Sequence, residues 1–346
     1  MAMRSELPRH SPRARRRRRI DGLLLGLLVL AVLVAISFCV GTRTLPLAVT
    51  WEAVHAFDPA NNDHLLVRLL RIPRTLVAVV VGCALGAAGA VMQALTRNPL
   101  ADPGLLGVNG GAATAIVVAV AFFGITDITG YLWFALAGAA LAGGGVYLLG
   151  GARRGIDPVR LVLAGVALTV VLQAVAQVIL LNSDDAVFDQ FRHWAVGSLQ
   201  GRGQGVLVPV TVTAAVGLGL ALTLARPLDA VMLGEELGQS LGANPARVWT
   251  LAMLSVVILT AAATAAPGPL SFIGLTAPHL ARRVVGPEHR WLIPYSMLVA
   301  AILLVAADIL GRIVAAPGEI GVGIMAALLC GPFFVALARR RRIAHL

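Results

Sequence analysis

The chain reads as an all-α, polytopic transmembrane helical bundle of about ten spans, and three observations carry that reading. Hydrophobic residues make up 58% of it, charged residues only 13%, and the mean hydropathy is +0.85, whereas soluble domains carry about 25% charged residues. Apolar runs recur at a length that crosses a hydrocarbon core of about 30 Å, which takes roughly 20 helical residues. The basic residues number 28, all of them arginine, and they collect between the apolar runs and at the two chain ends.

Nine strong runs occupy residues 20–40, 75–95, 107–123, 131–151, 159–181, 205–225, 247–266, 291–311 and 320–338. A tenth, 269–285, is weaker because Pro269, Gly274, Pro278 and His279 interrupt it. An outer-membrane barrel would show alternating segments of about ten residues; the run from Ile116 to Phe123 does not alternate. The expected organisation is an Arg-rich tail at 1–19, a transmembrane domain at 20–338 and a second basic tail at 339–346.

Most of the arginines fall in segments that share one side if the N-terminus is cytoplasmic and ten spans follow, the asymmetry of the positive-inside rule. Both termini are therefore expected in the cytoplasm, in a multi-pass protein of the cell (inner or plasma) membrane. Trp133, Trp249 and Trp291 lie at span ends, as an interfacial aromatic belt requires. The net charge of +11 reads as membrane anchoring and not as a nucleic-acid footprint. Arg15 to Arg19, directly before the first span, serve as an orientation signal and lipid contact. The apolar run after them is too long for a cleaved signal peptide. Cys39, Cys83 and Cys330 are isolated, which implies neither a disulfide nor a metal framework.

Several chemistries are excluded. A phosphate-binding loop needs a lysine to reach the phosphates, and the chain has none, so it is expected to be no enzyme and to hold no ATPase site of its own. Schiff-base chemistry fails for the same reason. His55, His64, His193, His279 and His289 show no metal-site spacing, so no bound cofactor or metal is expected. Proton-coupled carriers place carboxylates inside their spans, yet here almost all the acidic residues lie in loops or at span ends. Asp308 is nearest to an exception, and Arg312 at i+4 makes it a structural ion pair. Energy for transport must come from another chain.

One polar island stands out between two long apolar runs: Leu233-Gly234-Glu235-Glu236-Leu237-Gly238-Gln239-Ser240-Leu241-Gly242. Asp229, Glu235 and Glu236 are placed near the start of its short helix, where negative charge complements the dipole by about 0.3–1 kcal/mol. In a lipid-embedded chain such an island is expected to touch something soluble.

Further segments carry a family resemblance. Arg71-Ile72-Pro73-Arg74, Gly82, Gly89, Gln93, the run Arg97-Asn98-Pro99-Leu100-Ala101-Asp102-Pro103, Trp194 to Leu199, the Gly234-Glu235-Glu236 island, Phe272 to Leu280 with Pro278-His279, Ala307-Asp308, Arg312, Pro317 to Ile320 and Gly331 to Phe334 occur in one order across roughly residues 43–338. In this the chain resembles the FecCD-type permeases of ABC importers for iron-siderophores, haem and cobalamin. The resemblance implies ten transmembrane helices, a dimer with an identical or paralogous second permease, two cytoplasmic ATPase subunits that use the ATP, and an extracytoplasmic substrate-binding protein. It implies a ferric siderophore as cargo, with cobalamin or haem as alternatives. Ion-coupled secondary transport lacks its carboxylates, and a membrane-embedded enzyme lacks a catalytic cluster.

On the resemblance, Asp229, Gly234, Glu235, Glu236, Ser240, Leu241 and Gly242 form the ATPase-coupling loop. Arg71, Arg74 and Arg312 lie at outer span ends against the positive-inside bias and would receive carboxylates of the binding protein, to which the Arg fork is matched, as exposed rim pairs that set orientation and association rate; the alternative is snorkelling to the interface, or for Arg312 the pair with Asp308. Two departures are visible. Leu237-Gly238 stand where relatives often have two alanines, and a mid-helix Gly costs about 1 kcal/mol relative to Ala, so a more flexible loop is expected. Gly321 stands where proline is common.

Arg97, Asn98, Pro99, Asp102, Pro103, Pro278 and His279 are read as structural motif residues. Each Pro biases its predecessor away from helix, so Asn98-Pro99 and Asp102-Pro103 mark the turn between spans two and three. Pro267-Gly268 before span eight parallels Pro103-Gly104 before span three, a hint of an inverted repeat. The 37 glycines, as in Gly82-Cys83-Ala84-Leu85-Gly86-Ala87-Ala88-Gly89, predict close helix approach.

Overall fold

A computed structural model describes residues 12–41, 43–150 and 158–339. Among the described residues the architecture is entirely helical. In chain order the helices are α1 (Pro12–Cys39), α2 (Leu47–His55) and α3 (Asn62–Leu65), the last running through a π turn at Leu66–Arg71 into α4 (Ile72–Leu95). After a 3-10 turn at Pro103–Leu106 come α5 (Val108–Phe123), α6 (Ile128–Leu149), α7 (Pro158–Leu181), α8 (Asp185–Ala195), α9 (Gln204–Thr223), α10 (Ala225–Met232) and α11 (Glu235–Ser240). The chain closes with α12 (Pro245–Ala265), α13 (Ile273–Val285), α14 (His289–Val314) and α15 (Val322–Arg339).

Each of the ten expected spans coincides with a helix. Seven are long and apolar enough to cross a membrane unaided, whereas α5 and α15 are shorter apolar helices and α13 has 13 residues. At 1.5 Å per residue α13 is about 20 Å long, less than a bilayer core. The stretch from Arg13 to Arg19 continues α1 as helix instead of forming a separate tail; residues 1–11 and 340–346, and with them most of the expected C-terminal tail, lie outside the described residues, as do Arg153 and Arg154.

The two Pro-Gly breaks share a place in the fold. Asp102 accepts a 2.8 Å bond from the Gly104 N–H and so caps the turn that leads into α5. The non-helical segment after Pro267 leads into α13. The two breaks lie against each other: Thr264 Oγ1, in the last turn of α12, donates to Asn109 Oδ1 of α5 at 2.9 Å, and a Cβ on Gly274 of α13 would lie 3.0 Å from the Pro103 ring.

Glycine fixes how closely the central helices approach. α4 is the most enclosed long helix. A Cβ on Gly82 would meet Ala301 Cα of α14 at 2.5 Å, one on Gly86 the Ser296 carbonyl at 2.1 Å, and one on Gly89 the Gly274 carbonyl of α13 at 1.7 Å. Gly111 of α5 and Gly138 of α6 face each other's carbonyls in the same way. Because backbone cannot move aside as a side chain can, Gly89→Ala is expected to cost about 1–3 kcal/mol, the range for overpacking. Gly144→Ala, inside α6 with nothing within 4 Å of the added atom, should hold or slightly raise the detergent melting temperature, since Ala favours helix over Gly; equal melting of the two variants would refute this packing argument.

α1 and α7 lie at the periphery. α1 rests on α14 where Gly22 and Gly26 make room for Tyr295 and Leu298. Its Arg19 pairs with Glu288, donates to the Val285 carbonyl at 2.7 Å and lies 5.6 Å from the Trp291 ring centroid. α7 leaves Leu163, Val170, Val178 and Leu181 uncovered within the single chain.

Candidate functional sites at the two ends of the bundle

At the end expected to face outward, the structure brings Arg71, Arg74 and Arg312 together, and not as exposed forks. Residues 71 and 74 stand one turn apart at the start of α4, where the π turn of Leu66–Arg71 leads into it. Asp308 and Arg312 stand one turn apart near the end of α14. Asp308 Oδ1 accepts from Arg74 Nε at 3.1 Å and Arg74 Nη2 at 2.8 Å, while its Oδ2 is 2.9 Å from Arg312 Nη2. The other arm of Arg74 donates to Glu319 at 2.8 Å, and the Arg74 side chain is 12% exposed. Arg312 donates through Nη1 to the Ser37 and Val40 carbonyls at 3.0 and 2.8 Å. Arg71 donates to the carbonyls of Phe38 and Cys39 at 2.8 and 2.7 Å and to that of Arg43. Burial of three guanidinium groups is sustained by these bonds.

The exposed rim expected for these residues is therefore corrected to a buried cluster opening on a cavity. That cavity, about 200 Å3 in volume, is lined by Arg71, Arg74, Arg312, Glu319 and Arg202. Arg202 is buried and donates to the Tyr131 hydroxyl at 2.8 Å. Among the described residues, four guanidinium groups thus face Glu319, with Asp308 behind them, and Arg71 and Arg202 have no carboxylate in contact. Such a surplus of positive charge in a partly desolvated concavity can receive a carboxylate. Sequence reasoning did not assign Glu319 or Arg202 to this site, because both are distant in the chain from Arg71 and lie in loops.

At the opposite end, α10 and α11 form the polar island. Gly234 starts α11 at φ +116° and Gly242 follows it at φ +83°, conformations that suit glycine. Glu236 is exposed, and its carbonyl accepts from Ser240 Oγ at 2.9 Å; Glu235 opens the helix. Leu233, Leu237 and Leu241 are 64%, 59% and 66% exposed. Their four-residue spacing puts Leu237 and Leu241 on one side of α11, with Leu233 leading into it. Of the three only Leu241 was assigned a coupling role; the i, i+4, i+8 leucine pattern in a polar island was the available signal. Gly238 is buried, and a Cβ there would meet the Ala230 carbonyl at 3.2 Å and Val231 Cα at 3.3 Å. Its role is close approach of α11 to α10, which replaces the expected loop flexibility.

Asp229 requires a correction. It lies within α10, not at the start of α11, and Oδ1 accepts both the His289 N–H at 3.0 Å and His289 Nδ1–H at 2.6 Å. It caps α14, a different helix, and ties the island to it.

The expected structural-motif residues lie in turns and helix contacts. Arg97 adopts φ +48° after α4, and Asn98 Oδ1 accepts from Leu100 N at 2.9 Å, with Pro99 inside that turn. Pro103 is buried against Gly274. Pro278 is buried within α13, and His279 lies edge-on to Phe333 at 5.6 Å with Nε2 3.2 Å from Arg283. Gly321 lies against the Gly197 carbonyl, where a Cβ would approach to 2.8 Å. No group of residues suited to holding a metal occurs among the described residues.

The profile of the FecCD transport family matches residues 28–340. The chain belongs to this family. Similar proteins include the ferric enterobactin transport system permease protein FepD of Escherichia coli, 43% identical over 324 residues that cover 93% of this chain and 95% of that one. The hemin transport system permease protein HmuU of Yersinia pestis is 38% identical and covers 92% and 96%. Among solved structures, a metal-chelate type ABC transporter in an inward-facing conformation superposes with a TM-score of 0.78 at 27% identity, over 93% of this chain and 99% of that one. The chain is thus a membrane-spanning permease subunit of an ABC importer, a part without its own ATPase site, and its membership implies an ATPase and a binding protein as partners.

Proposed function

We propose that this permease carries a ferric siderophore inward, as one of two permease subunits over two cytoplasmic ATPase subunits, with an extracytoplasmic binding protein docking on the arginine-lined cavity. Both termini are cytoplasmic in this reading. The 43% identity to a ferric enterobactin permease across nearly the whole chain supports the cargo. The hemin relative supplies the second reading, haem.

The observation that carries the mechanism is α14. Its first residue is held by Asp229 beside the island, and Asp308 and Arg312 near its other end build the arginine cluster. Its 26 residues span about 39 Å at 1.5 Å per residue. One helix, with Pro294 in its second turn, therefore joins the ATPase-facing and binding-protein-facing ends, and in this reading it is the element that links them.

Uptake by proteoliposomes holding the complete transporter tests this, with ferric catecholate siderophore, haem and cobalamin offered separately. Siderophore uptake is expected; uptake of haem or cobalamin alone would replace the cargo assignment. For docking, Arg71→Gln removes one uncompensated charge. It is expected to weaken capture of the loaded binding protein about tenfold at low salt, with the difference shrinking as salt screens the exposed approach. Unchanged affinity at low ionic strength would remove Arg71 from the docking site.

A further inference from the structure

A second cavity, of about 360 Å3, lies beside the island. Met232 and Leu233 form its apolar wall, and Asp229, Arg282, Glu288 and His289 supply its polar groups. Three of those four are occupied: Asp229 accepts two bonds from His289, and Glu288 pairs with Arg19. Arg282 is not. It projects from the last turn of α13, its Nε is buried without a hydrogen-bond partner, and among the described residues no carboxylate pairs with it. His289 is 4% exposed, and its Nε2, the ring edge turned away from Asp229, is likewise buried and unpartnered. A half-buried guanidinium whose Nε–H is sealed from water without an acceptor carries a desolvation cost that an incoming carboxylate would offset.

We propose that this cavity seats a carboxylate side chain of the ATPase subunit, held by the Arg282 guanidinium. The inference rests on the coupling reading of the island. The position of the cavity selects this occupant over other anions, since Leu233 lines it and is also the first leucine of the exposed series at Leu237 and Leu241. A chain docked on those leucines covers the cavity mouth. Because His289, the first residue of α14, and Asp229 of α10 also line the cavity, a carboxylate bound there would sit where α13, α14 and the island meet.

The test uses the full-length permease in nanodiscs, with affinity for the purified ATPase subunit measured against salt concentration in phosphatidylcholine alone and in phosphatidylcholine with phosphatidylglycerol. Arg282→Gln is expected to weaken association about tenfold and flatten its salt dependence in both lipids, while Arg282→Lys, which keeps the charge, retains most of it. Arg282→Glu should be rescued by changing one Asp or Glu on the ATPase contact face to Arg. Unchanged affinity of Arg282→Gln in neutral lipid overturns the proposal, as does failure of every ATPase reversal to rescue Arg282→Glu. A defect confined to anionic discs also overturns it and assigns the cavity to a lipid phosphate. Leu237→Ser separates this result from the reading beneath it: association lost in Leu237→Ser but intact in Arg282→Gln rejects the carboxylate seat alone, whereas no binding by the unaltered permease rejects the coupling reading.

Discussion

Replacing Leu233, Leu237 and Leu241 together by serine is expected to abolish association with the ATPase subunit while the permease still inserts and folds. Each leucine is more than half exposed in the isolated chain, so removing it takes little from the bundle; exposed substitutions typically shift stability by about 0.5 kcal/mol or less. Docking reverses the situation. A leucine fully buried on association contributes about 1.5–3 kcal/mol, and a cluster of such anchors dominates an interface of this kind. The triple variant should lose at least about a hundredfold in affinity even after allowance for the costs of association. Co-purification with the ATPase and uptake should fall together, with the melting temperature of the permease unchanged. Glu235→Ala with Glu236→Ala should have a smaller effect, because rim charges contribute orientation and association rate more than affinity. Full ATPase association by the triple variant would remove the leucines from the interface.

Asp308→Asn is expected to destabilise the permease by about 3–5 kcal/mol, the range for breaking a buried pair by removing one partner. The carboxylate is buried and shared between Arg74 and Arg312. Its loss leaves Arg312 with carbonyl and hydroxyl partners only, and Arg74 with Glu319 alone. Denaturation in mild detergent measures the cost. A change below about 1 kcal/mol, the usual worth of an exposed pair, would show that water reaches the cluster. Combining Asp308→Asn with Arg74→Gln should cost less than the sum of the two single changes, because the second removes the charge that the first orphans.

The spans were legible because crossing a bilayer is a property of local composition and length, and each of the ten apolar runs became a helix. α13 read weakly for a physical reason: Pro267, Gly268 and Pro269 break the helix within the bundle, and only 13 helical residues follow. The glycine pattern announced close approach but not the partner; Gly86 could have faced any neighbour, and only the fold set it against Ser296. Gly238 was misread as a source of flexibility because propensity speaks of an isolated helix, whereas the α10 backbone lies against it.

The arginines mark the boundary between the two kinds of knowledge. Composition and the span count determined from sequence alone that this chain crosses a membrane as a helical bundle, because hydrophobic length needs no third dimension to be read; family membership is what implies a separate ATPase. Whether an arginine at a span end snorkels to water, meets a partner or joins a buried pair cannot be read that way, since all three place the same residue at the same position in the chain. Tertiary structure decided it by bringing Arg74 onto Asp308 and Glu319, more than 200 positions away, and by setting Asp229 on the first turn of α14. Those contacts are possible only once α4 and α14 pack glycine to backbone, and that packing fixes which charges are neutralised inside the bundle and which are left without a carboxylate.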